Sequence, residues 1–136
     1  MQIFKAMQIS SSGLTAERFR LDLIANNIAN AHSTRTEDGG PYRRRSAVFA
    51  EQMDAARRNR QGVRVVSVSE DQTPPRLVYE PGHPDADAAG YVAYPNVNVI
   101  QEMVDMITAT RAYEANVTSL NAAKSMFLKA LEIGRG

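Results

Sequence analysis

The sequence has 136 residues, the size of one ordinary domain, and 43% of them are hydrophobic, which excludes an intrinsically disordered composition. With 16 Lys and Arg against 15 Asp and Glu, the net charge near +1 gives no general attraction to nucleic acid or anionic lipid. The absence of cysteine excludes disulfides, thiolate catalysis and cysteine-bound metal.

The first segment, residues 1–31, carries apolar side chains at alternating steps of three and four, which predicts a helix. Gly13 is the expected weak point, because glycine costs about 1 kcal/mol relative to alanine inside a helix. The segment lacks the basic stretch and the continuous apolar core of a secretory signal, so any export is expected to leave it uncleaved. Its apolar stripe consists of Ile3, Met7, Leu14, Leu21, Ile24 and Ile28.

Asparagines stand near the end of this predicted helix at positions 26, 27 and 30. Asparagine is a poor residue for a helix interior, because its side chain competes for backbone hydrogen bonds. One interpretation is that these residues end the helix. The other is that they fix the register of an interface through a buried amide, and Asn26 and Asn30 are four apart and share a face.

The middle segment, residues 32–95, is expected to form loops and short strands. Residues 32–41 are rich in turn formers and predict a loop. β-Branched residues and alternation between apolar and polar side chains predict strands at residues 42–51, 63–69, 76–80 and 91–94. This small hairpin-like unit is expected to project from the helices.

The last segment, residues 96–136, is predicted to be one long helix, since residues 96–133 contain neither proline nor glycine. Asn96 or Asn98 is the expected N-cap, and Gly134 is the expected stop. A helix of about 50 Å exceeds the diameter of a compact domain of this size, so it must protrude or pair lengthwise with another helix.

The predicted fold is mainly α with a β-rich middle, in which the two terminal helices pair as an antiparallel, coiled-coil-like unit. The apolar face of the C-terminal helix is broader than one partner helix covers, which predicts contacts with further subunits. The expected assembly interface consists of Leu14, Leu21, Ile24, Asn26, Asn27, Ile28, Asn30, Val99, Met103, Met106, Tyr113, Val117, Leu120, Phe127 and Leu131.

The sequence predicts no catalytic, cofactor or metal site. His32 and His83 are the only histidines, and both lie in loops without the spacing of zinc ligands. A role in ordering its own loop is expected for His83. Glu102 and Asp105, three apart on the C-terminal helix, are interpreted as part of a solvated face. An enzyme is therefore the least supported class of protein.

Arginine clusters occur at residues 43–45 and 57–60. The favoured interpretation is that both belong to solvated faces, and phosphate binding is the alternative.

Several runs of residues resemble one known family. Residues 12–16 (Ser-Gly-Leu-Thr-Ala) and 23–31 (Leu-Ile-Ala-Asn-Asn-Ile-Ala-Asn-Ala) are similar to the N-terminal signature of bacterial flagellar rod and hook proteins. Residues 81–87 (Pro-Gly-His-Pro-Asp-Ala-Asp) and 94–98 (Tyr-Pro-Asn-Val-Asn) resemble the proximal rod proteins of that family. The run Glu-Met-Val-Asp-Met at residues 102–106 is also similar to this family.

The resemblance implies a noncatalytic structural subunit of the flagellar basal-body rod. It implies export through the flagellar type III apparatus without signal cleavage, followed by polymerisation in the periplasm into a torque-transmitting tube. The implied partners are copies of the chain itself, other rod subunits and the export apparatus. No nucleic acid, membrane span, small-molecule substrate or cofactor is expected.

Two other functions remain open at this point. One is a soluble helical adaptor that grips a single partner helix with the methionine-rich face of the C-terminal helix. The other is a small nucleic-acid binder that uses the two arginine clusters.

Overall fold

The computed structural model describes residues 2–54 and 59–136, and all their side chains except those of residues 53, 54 and 59–61. Two long helices flank short strands, as predicted from the sequence. The elements in chain order are α1 (Gln2–Ala29), β1 (Arg45–Asp54), β2 (Asn59–Glu70), β3 (Arg76–Tyr79), β4 (Tyr91–Tyr94) and α2 (Val99–Arg135).

The two helices pack against each other in antiparallel directions, which confirms the predicted pairing. Phe4 near the start of α1 makes an edge-to-face contact with Phe127 near the end of α2, with ring centroids 5.1 Å apart. Towards the other end of the pair, Asn27 of α1 donates a hydrogen bond to Glu102 of α2. The contact thus extends along nearly all of α1. Because α2 has 37 residues and a length of about 55 Å, it is the longest element of the chain.

Helix α2 begins after the N-cap Asn98, one of the two N-caps predicted from the sequence. The Oδ1 atom of Asn98 accepts hydrogen bonds from the backbone N–H groups of Ile100 at 3.1 Å and Gln101 at 3.2 Å. These bonds satisfy donors that have no partner within the helix itself, which fixes the start of α2 at this residue.

The prediction that Gly134 stops α2 is wrong. The helix continues through Gly134 to Arg135, and the N–H of Gly136 closes it by donating to the carbonyl of Ile133. Glycine usually ends a helix by adopting a positive φ, but Gly134 keeps a helical backbone. A glycine in the last turn therefore lowers helix propensity here without breaking the helix.

The strands form two separate antiparallel hairpins rather than one unit. β1 pairs with β2 from a base at Arg45 and Glu70, and β3 pairs with β4, with Tyr79 opposite Tyr91 at the far end. The first strand begins three residues later than predicted. The N–H of Tyr42 instead donates to the carbonyl of Ser33 at 3.0 Å, so the chain is still part of the preceding loop at this point.

The first hairpin does not project freely as expected, because it lies along α1. The backbone N–H of Val63 in β2 donates a hydrogen bond to the Oγ atom of Ser12 in α1 at 3.1 Å. The middle of the chain is therefore packed against the N-terminal helix over part of its length.

The loop between β3 and β4 is fixed to the loop that follows α1. Asp85 accepts a hydrogen bond from the Thr34 hydroxyl at 2.8 Å and forms an ion pair with Arg35 at 2.9 Å. The Nδ1 atom of His83 accepts a hydrogen bond from the backbone N–H of Asp85 at 3.0 Å. This contact confirms that His83 orders its own loop.

Candidate assembly interface

The side of α2 that packs on α1 follows a seven-residue repeat. Of its two alternating sets of positions, one consists of small or polar residues and the other of large ones. All eight residues are buried or half-buried: Glu102, Ala109, Asn116 and Ala123 in the first set, and Met106, Tyr113, Leu120 and Phe127 in the second.

The predicted assembly residues of α2 include the whole large set and none of the small set. They also include Met103 and Val117. Each of these follows a residue of the small set directly in sequence, Glu102 and Asn116 respectively. A hydrophobic pattern selects Met103, yet this side chain is 52% exposed. Close approach of α1 and α2 selects small or hydrogen-bonded residues instead, so hydrophobicity alone does not identify the small set.

Most of the predicted assembly residues are covered within a single chain. Ile24 and Asn27 are buried, and Asn26, Met103 and Leu131 are exposed. The assembly role of the whole set stays a prediction. The remaining predicted residues are half-buried: Leu14, Leu21, Ile28, Asn30, Val99, Met106, Tyr113, Val117, Leu120 and Phe127.

Large apolar side chains lie on the opposite side of α2. Ile100 is 76% exposed and Ile107 is 62% exposed, and Met103 and Val104 lie between them on the same side. We call these four residues the outer apolar face. The end of α2 presents a second exposed group made of Met126, Leu128, Leu131 and Ile133.

A cluster of polar side chains around Asn27 joins three parts of the chain. The Nδ2 atom of Asn27 donates to the carbonyl of Arg45 at 2.8 Å and to Oε2 of Glu102 at 3.0 Å. Its Oδ1 atom accepts from the Tyr42 hydroxyl at 2.8 Å and from the N–H of Arg45 at 2.9 Å. All four hydrogen-bonding positions of the amide are therefore used, as burial of a polar group requires.

Burial raises the pKa of the Tyr42 hydroxyl above its usual value of 10.0, although the positive charge of Arg45 opposes the shift. The carboxylates of Glu102 and Glu70 add to the increase. The hydroxyl therefore keeps its proton over the physiological range and donates it to Asn27.

Glu102 is 1% exposed and shares its carboxylate between Asn27 and Arg44. Arg44 donates from Nε to Oε1 of Glu102, and its Nη2 atom lies 3.5 Å from Oδ2 of Asp105. The interpretation of Glu102 as part of a solvated face is wrong, because this carboxylate is buried and paired. The solvated-face interpretation also fails for Arg44, which reaches α2 from the chain before β1.

The other asparagines of the motif have local roles. Asn30 donates from Nδ2 to the carbonyl of Asn26 at 2.9 Å and accepts from the Ser33 hydroxyl at 3.1 Å, next to the end of α1. Asn26 is exposed. Helix termination thus describes Asn30, whereas Asn27 is the buried amide that links segments.

Ser12 and Gly13 mark the place where α1 meets both of its neighbours. Ser12 faces the first hairpin and accepts the hydrogen bond from Val63. A Cβ atom placed on Gly13 would lie 2.8 Å from Nδ2 of Asn116, so α2 approaches here too closely for a larger residue. The expected weak point of the helix is therefore a point of close contact with α2, and the helix continues through it.

We predict that Gly13→Ala lowers the free energy of unfolding by about 1 kcal/mol in the wild-type chain. Alanine favours the helix by about 1 kcal/mol, but its methyl group displaces the Asn116 side chain from the contact. In an Asn116→Ala background, the same change should stabilise the protein, because the obstructing amide is gone. Urea unfolding of the four variants measures the sign in each background, and equal signs would contradict this explanation.

Among the described residues, neither helix has the length and apolar content needed to cross a membrane. In the same part of the chain, no three His, Cys, Asp or Glu side chains form a group that could hold a metal ion. The arginines at 57–60, proposed as an alternative phosphate site, lie outside the residues whose side chains are described.

Asn27 and Glu102 lie in segments that match known families. A family model described as flagella basal body rod protein matches residues 7–35, and one described as flagellar basal body rod FlgEFG protein C-terminal matches residues 88–133.

The flagellar basal-body rod protein FlgC of Borreliella burgdorferi is 47% identical over 100% of both chains. FlgC of Salmonella typhimurium is 48% identical over 99% of this chain and 100% of its own length. FlgC of Bacillus subtilis is 42% identical over 99% and 100%, respectively. The chain belongs to the FlgC family of flagellar basal-body rod proteins.

Membership in the FlgC family confirms the resemblance seen in the sequence. The chain is a structural subunit of the flagellar basal-body rod and assembles with other rod components. This finding replaces the alternative of a helical adaptor with a single partner. In the structure, Arg44 pairs with Glu102 and Arg45 pairs with Glu70, at the base of the first hairpin.

Proposed function

We propose that this FlgC-family subunit is held in the rod chiefly by the outer apolar face of α2. The supporting observation is the distribution of side chains on the helix pair. The large side chains towards α1, such as Tyr113 and Phe127, are already half-buried in the single subunit, whereas Ile100 and Ile107 on the other side are more than 60% exposed. A neighbouring subunit that covers Ile100 and Ile107 removes their apolar surface from water, which favours association.

In this proposal, the partners are other rod subunits and further copies of the same chain. Met103 and Leu131, among the residues predicted from sequence, contact a neighbour directly because they are exposed. The half-buried members such as Leu120 act indirectly by holding the two helices together. The segments 1–31 and 96–136 form the assembling unit, and 32–95 adds contacts to it. Head-to-tail contacts that do not close on themselves extend such units into a tube.

We also propose that the subunit reaches the rod by type III export and transmits torque there. Export through the flagellar type III apparatus and assembly in the periplasm fit an N-terminal segment that is part of the packed structure. Phe4 already contacts Phe127, so removing this segment with a signal peptide would remove part of the helix pair. Transmission of torque fits a pair of helices tied to a hairpin by the buried Asn27 cluster.

Placing an aspartate in the outer apolar face tests whether this face contacts a neighbouring subunit. We predict that Ile107→Asp leaves the helix content of the free subunit unchanged, because residue 107 is 62% exposed. The variant should fail to enter rods, since a charge would be buried without a partner in the assembled interface. Ser119→Asp, another exposed position on α2, is the matched control and should leave motility intact.

Circular dichroism of the purified subunits and the recovery of basal bodies from cells measure the two effects. Normal rods built from the Ile107→Asp subunit would show that this face is not an interface.

A further inference from the structure

The first hairpin is fixed to the helices at its base. Asn27 binds both the N–H and the carbonyl of Arg45, the first residue of β1, at 2.9 and 2.8 Å. The Arg45 guanidinium pairs with Glu70 at the end of β2, at 3.1 Å. The base is therefore held by the main chain and by a side-chain pair across both strands.

A second attachment lies farther along the hairpin, at Gly62. The N–H of the next residue, Val63, donates to Oγ of Ser12 at 3.1 Å, and this hydroxyl donates to the carbonyl of Ile9 at 2.7 Å. Gly62 has a φ of +117°, and a Cβ atom there would lie 2.0 Å from Oγ of Ser12. Both the backbone conformation and the close approach require glycine.

Two grooves open on either side of this attachment. A groove of about 360 Å³ between α1 and the hairpin is bordered by Phe19 and Val65, among others. A second groove, of about 320 Å³, is bordered by Glu17 and Phe49. The hydrogen bond at Ser12 therefore lies between two grooves, along the line where the hairpin meets α1.

We propose that Ser12 and Gly62 form a latch that decides whether the β1–β2 hairpin lies on α1. When the latch is closed, the hairpin follows α1 as in the structure. When it is open, the hairpin swings about its base at Asn27 and uncovers the surface of α1 around Ala16 and Phe19. The latch belongs to the single subunit, so it does not depend on the outer apolar face as an interface.

The first test measures the distance between α1 and the hairpin in the full-length subunit. The chain has no cysteine, so Arg18→Cys and Ser67→Cys, both at exposed positions, attach a pair of nitroxide labels without competing sites. Electron-spin distance measurements should give a narrow distribution for the otherwise unchanged chain. Adding Gly62→Ala should at least double its width, while circular dichroism shows the same helix content.

Gly40→Ala is the matched control for this change. Gly40 has a φ of +119°, close to that of Gly62, but a Cβ atom there would meet nothing within 4 Å. The two variants thus share the backbone strain and differ in the clash with Ser12. A distribution as narrow for Gly62→Ala as for Gly40→Ala would overturn the latch. So would a broad distribution in the unchanged chain, or loss of helix content with Gly62→Ala.

The second test removes the acceptor rather than the glycine. Ser12→Ala should raise the hydrogen-exchange rate of the Val63 amide roughly fivefold, the factor expected for one neutral hydrogen bond. Ser11→Ala, one residue away at an exposed position, should leave that rate unchanged. Equal exchange rates in the two variants would show that the hydroxyl does not hold the hairpin.

Discussion

Replacing Asn27 by alanine is expected to lower the free energy of unfolding by about 4 kcal/mol, a loss that few single substitutions reach. The change removes four hydrogen bonds at once and leaves an oxygen of the buried Glu102 carboxylate without its amide donor. It also frees the N–H and carbonyl of Arg45, so the direction in which the first hairpin leaves the helices is lost. Urea unfolding of the full-length subunit, followed by circular dichroism, measures the change.

The neighbouring Asn26→Ala is the matched control, because it makes the same chemical change at an exposed position of the same helix. We expect its effect to lie within about 0.5 kcal/mol of zero, since surface substitutions away from special features are nearly neutral. Similar losses of stability in the two variants would mean that helix propensity, rather than the buried cluster, explains the result for Asn27.

Glu102→Ala is expected to cost about 3 kcal/mol, because it leaves Arg44 and one N–H of Asn27 without the carboxylate that they share. The Arg44 side chain is only 30% exposed, so water replaces the lost partner incompletely. Asp105, whose carboxylate lies 3.5 Å from the same guanidinium, compensates for part of the loss. The measurement is again urea unfolding of the full chain.

A double-mutant cycle with Arg44→Ala separates the pair from its surroundings. We expect a coupling energy of about 2 kcal/mol between Arg44 and Glu102, as is usual for residues in one buried network. The surface pair Arg111 and Glu114, whose side chains are 80% and 60% exposed, is the control and should show less than about 0.5 kcal/mol. A coupling energy near zero for the buried pair would show that the two charges do not stabilise each other.

The two helices and their pairing could be predicted because the residues of each helix and the length of α2 point to the same arrangement. A stretch of 38 residues without proline or glycine predicted α2, and the excess length of that helix required a long partner. Asn98 could be named as an N-cap because its side chain acts on residues two and three positions away. Such features depend on neighbours in sequence, which the sequence itself supplies.

The Asn27 cluster could not be assembled from sequence for the opposite reason. Its members come from α1, the chain before β1 and α2, and Asn27 lies 75 positions from Glu102. A Glu followed three residues later by an Asp is common on solvated helix faces, so Glu102 carried no signal of burial. Likewise, Gly13 predicted a weak point in the helix, because the approach of Asn116 to Gly13 and of Val63 to Ser12 depends on how the elements pack.

The amide of Asn27 recognises the main chain of residue 45 and not its side chain. Any amino acid except proline offers the same N–H and carbonyl at that point. The direction in which the first hairpin leaves the two helices therefore does not depend on the side chains of the hairpin. Related subunits can therefore carry a hairpin of different length or composition, provided that they keep the asparagine that binds the main chain at its base.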